Sequence, residues 1–570
     1  MKKSMLTRKN LKTGLFAVSM VFMLGSFQAC TKKTELAEDP YAGGKQVLDI
    51  NFVSKSSELG IVAAGSVMEL QVNGLMKYKD NFKLYVNEIE ANVIDFTDTS
   101  IRFEIPVTAS TGSVWITANE QTFFGPVIRV GGKVSVDNTF KVVNGAGYLS
   151  GGVGTIFDIE QLPSGRFWVG GSFNTFELKG TEAVPNGGIA QLDPDGGYIT
   201  NDINFGFGAW GSGGTIYSIS RISAGPQSGK FIIGGSFNAY NSKRNNRQTI
   251  GNVTRLNANG TLDTMMSSQR DAAGNSLVPI VNPKPEVKWK DQDTVPSFNA
   301  SVDGAVRKTF AFGEKVYIIG NFQIFRRAYY PNSTWDEKVY DATRMRQMVR
   351  VNADGSLDST FHYIKATNQS GLGGDGAIMD ATMQADGKLV IVGGFQTFNG
   401  TPAKRIARLN LDGSVDNSFH TGSGADGDIY AIRYNATTQQ YVVSGTFTHY
   451  NGKALPGVAL LNADGSLVDS FNPQQITGGS VTYSGQLNNG KILVTGNFTK
   501  YGEYVRQGFM ILEADGTLKP EYNNSGGFQG RVYDMIETPF AGGTKVILVG
   551  NILRFNATIP KGLVRITIAN

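Results

Sequence analysis

Seven times in this chain a short apolar run ends in Gly, a small residue and then an apolar one: "FWVGGSF" (167–173), "FIIGGSF" (231–237), "VYIIGNF" (316–322), "LVIVGGF" (389–395), "YVVSGTF" (441–447), "ILVTGNF" (492–498) and "VILVGNI" (546–552). A strand-sized unit cannot bury its apolar face alone, so a repeated one must stack on its neighbours in a solenoid or a ring. A second element follows each of the first six: "AQLDPDGG" (190–197), "RLNANGTLD" (255–263), "RVNADGSLD" (350–358), "RLNLDGSVD" (408–416), "LLNADGSLVD" (460–469) and "ILEADGTL" (511–518). Asp-Gly or Asn-Gly between apolar runs signals a hairpin, because both residues tolerate positive φ. Ahead of the Gly-Phe element lies another strand, such as "TIFDIEQ" (155–161) or "RVYDMIET" (531–538). Each unit therefore offers four strands.

The seventh unit ends in "GLVRITIAN" with no fourth strand, while an orphan "KVSVDNTF" (133–140) precedes the first unit and matches the missing part. One end completing the sheet begun by the other closes a ring, which removes two free sheet edges. The expectation is all-β, a seven-bladed propeller over 132–570 closed by 133–140 pairing with the C-terminal blade. Its pattern resembles the delta-60 β-propeller family, whose Gly-Gly-Ser-Phe element is followed by Arg-Leu-Asn-x-Asp-Gly-Ser-Leu-Asp. The first unit lacks the Arg, and the sixth reads "ILEADG".

Between Val47 and Val130 the pattern changes to alternating strands without the repeat: "MELQVNG" (68–74), "FKLYVNE" (82–88), "IRFEIPV" (101–107) and "SVWITAN" (113–119). Period-two alternation broken by turns predicts an antiparallel sandwich over 47–131, with Trp115 in its core. The stretch from Asp98 to Val130 resembles the IPT/TIG immunoglobulin-like family, whose members act as spacers or contact modules.

The first 29 residues carry five bases and no acid, and an apolar run "GLFAVSMVFMLG" (14–25). That run is shorter than the roughly 20 residues a membrane-spanning helix needs, so it reads as a secretory signal. Cys30, the sole cysteine of the chain, follows it. This resembles a bacterial lipoprotein signal (1–29) with Cys30 as the acylated residue, and 31–46 then forms a polar tether. A single cysteine excludes an intrachain disulfide and a thiolate metal cage. Beyond residue 29 the chain holds 48 Lys and Arg against 48 Asp and Glu, a balance without the basic footprint of a nucleic-acid binder.

Chemistry is sparse. The Asp-Gly motifs lack the further oxygen ligands and closing Glu of a calcium loop. His362, His420 and His449 sit at or near repeat positions and read as structural, and no Ser-His-Asp arrangement is visible. No metal, cofactor or catalytic residue is therefore assigned. The aligned glycines are 64, 85, 73, 52, 51 and 54 residues apart, so the first three intervals carry extra loops. Loops on a rigid scaffold are where binding concentrates, and these hold Trp210, Trp289, Tyr329, Tyr330 and Trp335, flat rings on which a sugar face could stack. The reading is a lipid-anchored, non-catalytic polysaccharide-binding protein of the outer-membrane surface. By resemblance to outer-membrane lipoproteins of Bacteroidetes-type bacteria, it would serve a glycan transporter complex. A carbohydrate-active enzyme (a glycoside hydrolase or lyase) and a protein-interaction scaffold or adhesin are the alternatives.

Overall fold

The computed structural model describes residues 47–241, 250–268, 292–329 and 339–570. The chain is all-β, with short 3-10 turns as the only helical pieces among these residues.

The N-terminal region forms two sheets. In one, Ser100–Glu104 pairs with both Val67–Asn73 and Asn92–Phe96. In the other, Gln121–Gly131 runs parallel to Ile61–Ala63 and antiparallel to Gly112–Ala118, which continues to Phe82–Val86. The alternation predicted from sequence is realised: Leu70, Val72, Leu84, Val86, Ile101, Phe103, Val114 and Ile116 are all fully buried. Trp115 departs from expectation. Its neighbours Val114 and Ile116 take the inner face, so the pleat turns Trp115 outward, where it is half-buried and stacks on Tyr85 at 4.0 Å and 10°.

Beyond residue 132 the repeats form seven sheets among the described residues. Their inner strands are Thr155–Gln161, Thr215–Arg221, Ala305–Phe312, Ile378–Met383, Ile429–Asn435, Val481–Gln486 and Phe528–Phe540. Each pairs antiparallel with the strand that carries the aligned Gly. The first sheet has four strands, ending in Tyr198–Ile199. In the next five, the expected fourth strand shrinks to a single bridge, such as Val351 to Leu357 or Leu409 to Val415. The chain leaves the ladder directly after the Asp-Gly turn, and side-chain bonds replace the lost ladder.

Those bonds are the same in three consecutive sheets. Arg255 meets Asp263 at 2.6 Å, Arg350 meets Asp358 at 2.7 Å and Arg408 meets Asp416 at 2.8 Å. A lysine joins each aspartate: Lys230, Lys315 and Lys388. The guanidinium also lies over a repeat Phe, 4.9 Å from Phe361 for Arg350 and 4.8 Å from Phe419 for Arg408. Its far end donates to a turn carbonyl of the following sheet, as Arg408 does to Ala463 at 3.1 Å.

The seventh sheet repeats this set from distant parts of the chain. Val134–Val136 pairs with the C-terminal strand Leu563–Ala569, Val134 opposite Ile568 and Val136 opposite Ile566. Arg565 meets Asp137 at 2.7 Å, Lys545 joins at 2.9 Å, and Phe140 lies 4.6 Å beneath the guanidinium. Arg565 also donates to the carbonyl of Pro194, in the first sheet's turn, at 2.7 Å. The strand that precedes the array thus carries the Asp and Phe that the last repeat lacks.

The two-sheet region and the segment just after it are bonded to the sixth repeat's trailing segment. The Thr111 N–H donates to Asn524 O at 2.8 Å, and the Lys133 N–H donates to Glu521 O at 2.6 Å. Asn523, Asn524 and Ser525 are buried there.

Candidate functional site

Every inner strand contains one β-bulge, at the same place. Opposite the aligned Gly and its preceding residue, the register skips one position: Phe157, Tyr217, Arg307, Met379, Tyr430, Thr482 and Tyr533 in the seven sheets. The aligned glycine is what permits the bulge. A Cβ on it would stand about 2 Å from a carbonyl oxygen at the start of the inner strand or just before it, at 2.1 Å from Thr155 O for Gly171 and 1.9 Å from Asp428 O for Gly445. The repeat's most regular residue is therefore a steric requirement of an extra residue on the neighbouring strand.

All seven extra residues line one cavity of about 600 Å³, within the range of small-molecule sites. Their contacts form an arc. Phe157 meets Tyr217 edge to face at 4.7 Å and Tyr533 at 4.8 Å. Arg307 lies over the Tyr217 ring at 4.9 Å. At the other end Arg531 lies over Tyr533 at 5.1 Å and over Tyr430 at 5.6 Å. The arc is thus three contiguous rings with a guanidinium at each end.

In four of the seven sheets the residue after the bulge ties neighbouring sheets together. Asp158 accepts the N–H of Ile219 at 2.6 Å, Ser218 that of Thr309 at 3.1 Å, Asp380 that of Ile432 at 3.0 Å and Asp534 that of Ile159 at 3.4 Å. Each of these bonds joins one sheet to another sheet's inner strand. Charges inside this layer are paired: Lys308 with Asp158 at 3.3 Å, and Arg433 with Asp380 at 2.7 Å and Asp534 at 3.4 Å. Burial, together with the charges of Asp158 and Asp534, pushes the Glu160 carboxyl up to about 7. Burial pushes Asp158 up as well, against the pull of Lys308. Among the described residues the only acid lining the cavity is Asp380, and it is committed to Arg433 and Ile432.

The two loop aromatics within the described residues lie elsewhere. Trp210 is half-buried in a two-residue strand, Ala209–Trp210, paired with Ala239–Tyr240. Tyr329 is 47 % exposed, its N–H bonded to Val339 O. Neither lines the cavity. Trp289, Tyr330, Trp335 and Cys30 lie outside the described residues. A bulge is a register feature, so in the sequence the cavity-lining residues are not distinguishable by type from the strands that carry them. Their signal in the sequence is only their place, just ahead of "DIE", "SIS" and "DMI" and 13 to 18 residues before the aligned Gly across the seven units.

The turn aspartates serve their own turns. Asp354 accepts both the N–H and the hydroxyl of Ser356, at 2.9 and 2.6 Å, and Asp412 does the same with Ser414. No group of three or more potential metal ligands occurs among the described residues. His362 is buried, and burial pushes its imidazole down to about 4. His449 is exposed and lies 3.0 Å from Asp426.

Fold and repeat together define a β-propeller-type protein, and comparison with known proteins gives the same class. Residues 227–264, 340–361, 384–419, 440–471 and 487–520 match the family model described as "Domain of unknown function (DUF5122) beta-propeller". Residues 27–126 match a second model, "Domain of unknown function (DUF5008)". No curated protein matches the chain. Similar solved structures include the extracellular domain of BT4673 from B. thetaiotaomicron, at 10 % identity and TM-score 0.33, with 75 % of this chain and 40 % of that one covered. The chain thus spans less than half the length of that neighbour. Sqt1 of Saccharomyces cerevisiae aligns at 10 % identity and TM-score 0.34, covering 73 % and 97 %. PorZ of Porphyromonas gingivalis, described as a surface component of the type-IX secretion system, aligns at 9 % and 0.30, covering 89 % and 60 %. Among the described residues no helix is long and apolar enough to cross a membrane.

Proposed function

We propose that the chain is a non-catalytic binding protein, lipid-anchored through Cys30 at the outer-membrane surface, that holds a polysaccharide in the bulge-lined cavity. In this reading the seven sheets are the blades of one closed ring, the Val134–Val136 strand completes the last blade, and the N-terminal sheets form a stalk.

The observation that carries the reading is the convergence of seven bulged residues on one cavity. A pyranose presents a face of C–H bonds that packs on a flat ring, and Asn321, Thr482 and the guanidiniums supply partners for its hydroxyls. Hydrolysis of a glycosidic bond ordinarily needs two carboxyl groups flanking it. The cavity lining offers one, already ion-paired, which favours binding over cleavage.

The test is electrophoresis of the protein in gels containing a panel of polysaccharides, with a reducing-end assay of the same mixtures. Retardation without new reducing ends is expected. New reducing ends would replace the reading with an enzyme, and no retardation in any gel would favour a protein partner. Trp210→Ala separates the two candidate places: lost retardation in that variant would move the site to the loops.

A further inference from the structure

We infer that the glycan is acidic, a polyuronate whose ring carboxylates are taken by Arg307 and Arg531. This rests on the glycan reading above and adds the chemical class of its ligand. The inference starts from a charge tally of the cavity. Of the four basic residues lining it, Lys308 and Arg433 are neutralised by Asp158, Asp380 and Asp534. Arg307 and Arg531 have no carboxylate partner among the described residues, and the Arg531 Nε is buried with no hydrogen-bond acceptor. Both are held instead by the aromatic faces of Tyr217, Tyr533 and Tyr430.

A guanidinium without a carboxylate partner lacks its strongest acceptor, and an incoming anion supplies one. The guanidinium fork matches a carboxylate through two parallel N–H···O bonds. Placement adds to this. The guanidiniums flank the Tyr217–Phe157–Tyr533 arc, so a saccharide lying on those rings would carry its substituents toward positive charge at both ends. A neutral glycan would leave both forks unanswered, whereas successive uronate residues would answer each.

The experiment is affinity electrophoresis in polygalacturonate, alginate, methyl-esterified polygalacturonate, a neutral glucan and dextran sulfate. Wild-type protein and the variants Arg307→Gln, Arg531→Gln and Arg531→Lys are run in each. Retardation by a polyuronate is expected. For polygalacturonate it would be lost on esterification, and Arg307→Gln and Arg531→Gln would each weaken it about tenfold or more. Arg531→Lys would fall between, since it keeps the charge and loses the fork. Equal retardation by the esterified polymer or the neutral glucan would overturn the acidic assignment while the glycan reading stands. Retardation by dextran sulfate alone would overturn the carboxylate assignment in favour of sulfate. No retardation in any gel would overturn the glycan reading itself. Arg307 is solvent-exposed, so its substitution leaves the fold intact and carries the test even if Arg531→Gln does not fold.

Discussion

The Tyr533 ring is held on one side by Phe157 and covered by Arg531, yet its strand position owes nothing to the ring itself. Tyr533→Ala should therefore weaken glycan retardation roughly threefold to tenfold, the worth of ~0.5–1.5 kcal/mol per aromatic contact, while the melting temperature stays nearly constant. Glu160 gives a second expectation. Its folded-state value of about 7 lies above the ordinary 4.5, so folding favours the protonated form. As pH rises through the window from about 4.5 to 7, the unfolded chain ionises first and stability falls; above 7 the loss is complete. Glu160→Gln should make that fall shallower in thermal melts taken across the window. Asp158 shares the upward shift, so the slope should not vanish. Little of this was readable in the sequence. In "TIFDIEQ" strict alternation places Phe157 with Ile159 and Asp158 with Glu160, but the bulge breaks the period and leaves Asp158 and Ile159 both buried.

At the scale of strands and turns, the glycine and the ion pair decide the architecture. Gly445→Ala would set a Cβ 1.9 Å from Asp428 O, forcing the bulge to close or the strands to part. A loss of about 1–3 kcal/mol or more is expected in denaturant unfolding, together with weaker retardation because Tyr430 would be displaced. The ion pair works through burial. Burial pushes the Asp416 carboxyl up, and hydrogen bonds from Lys388, Ser418 and Arg408 reverse this and hold it well below the usual carboxylate range. Asp416→Ala leaves Arg408 buried without its partner and should cost about 3–5 kcal/mol. Strands and turns were legible because the same short patterns recur in every unit, and the Arg-to-Asp separation because it stays at eight residues in three of them. The fourth strand was misjudged because apolar residues such as Leu357 and Val415 read as ladder. Each makes only a single bridge before the chain turns away to deliver its Asp.

For the molecule as a whole, sequence distance matters less than sheet membership. Asp137 and Arg565 are as close as Asp416 and Arg408, although 428 residues separate them. Asp137→Ala should consequently destabilise the protein about as much as Asp416→Ala, within ~1 kcal/mol in parallel unfolding curves. The proposed anchor predicts a separate outcome: Cys30→Ser should move the protein from the membrane pellet to the soluble fraction without changing its melting temperature. The seventh sheet also sets a timetable for biosynthesis. Its outer strand, Val134–Val136, is made early, and its partner Leu563–Ala569 is made hundreds of residues later. A nascent chain can assemble sheets from their own consecutive strands, but this one must wait for translation to reach residue 569. Until then the Val134–Val136 strand lacks its ladder partner and stands open to whatever strand meets it first, and a chaperone holding it would govern the yield.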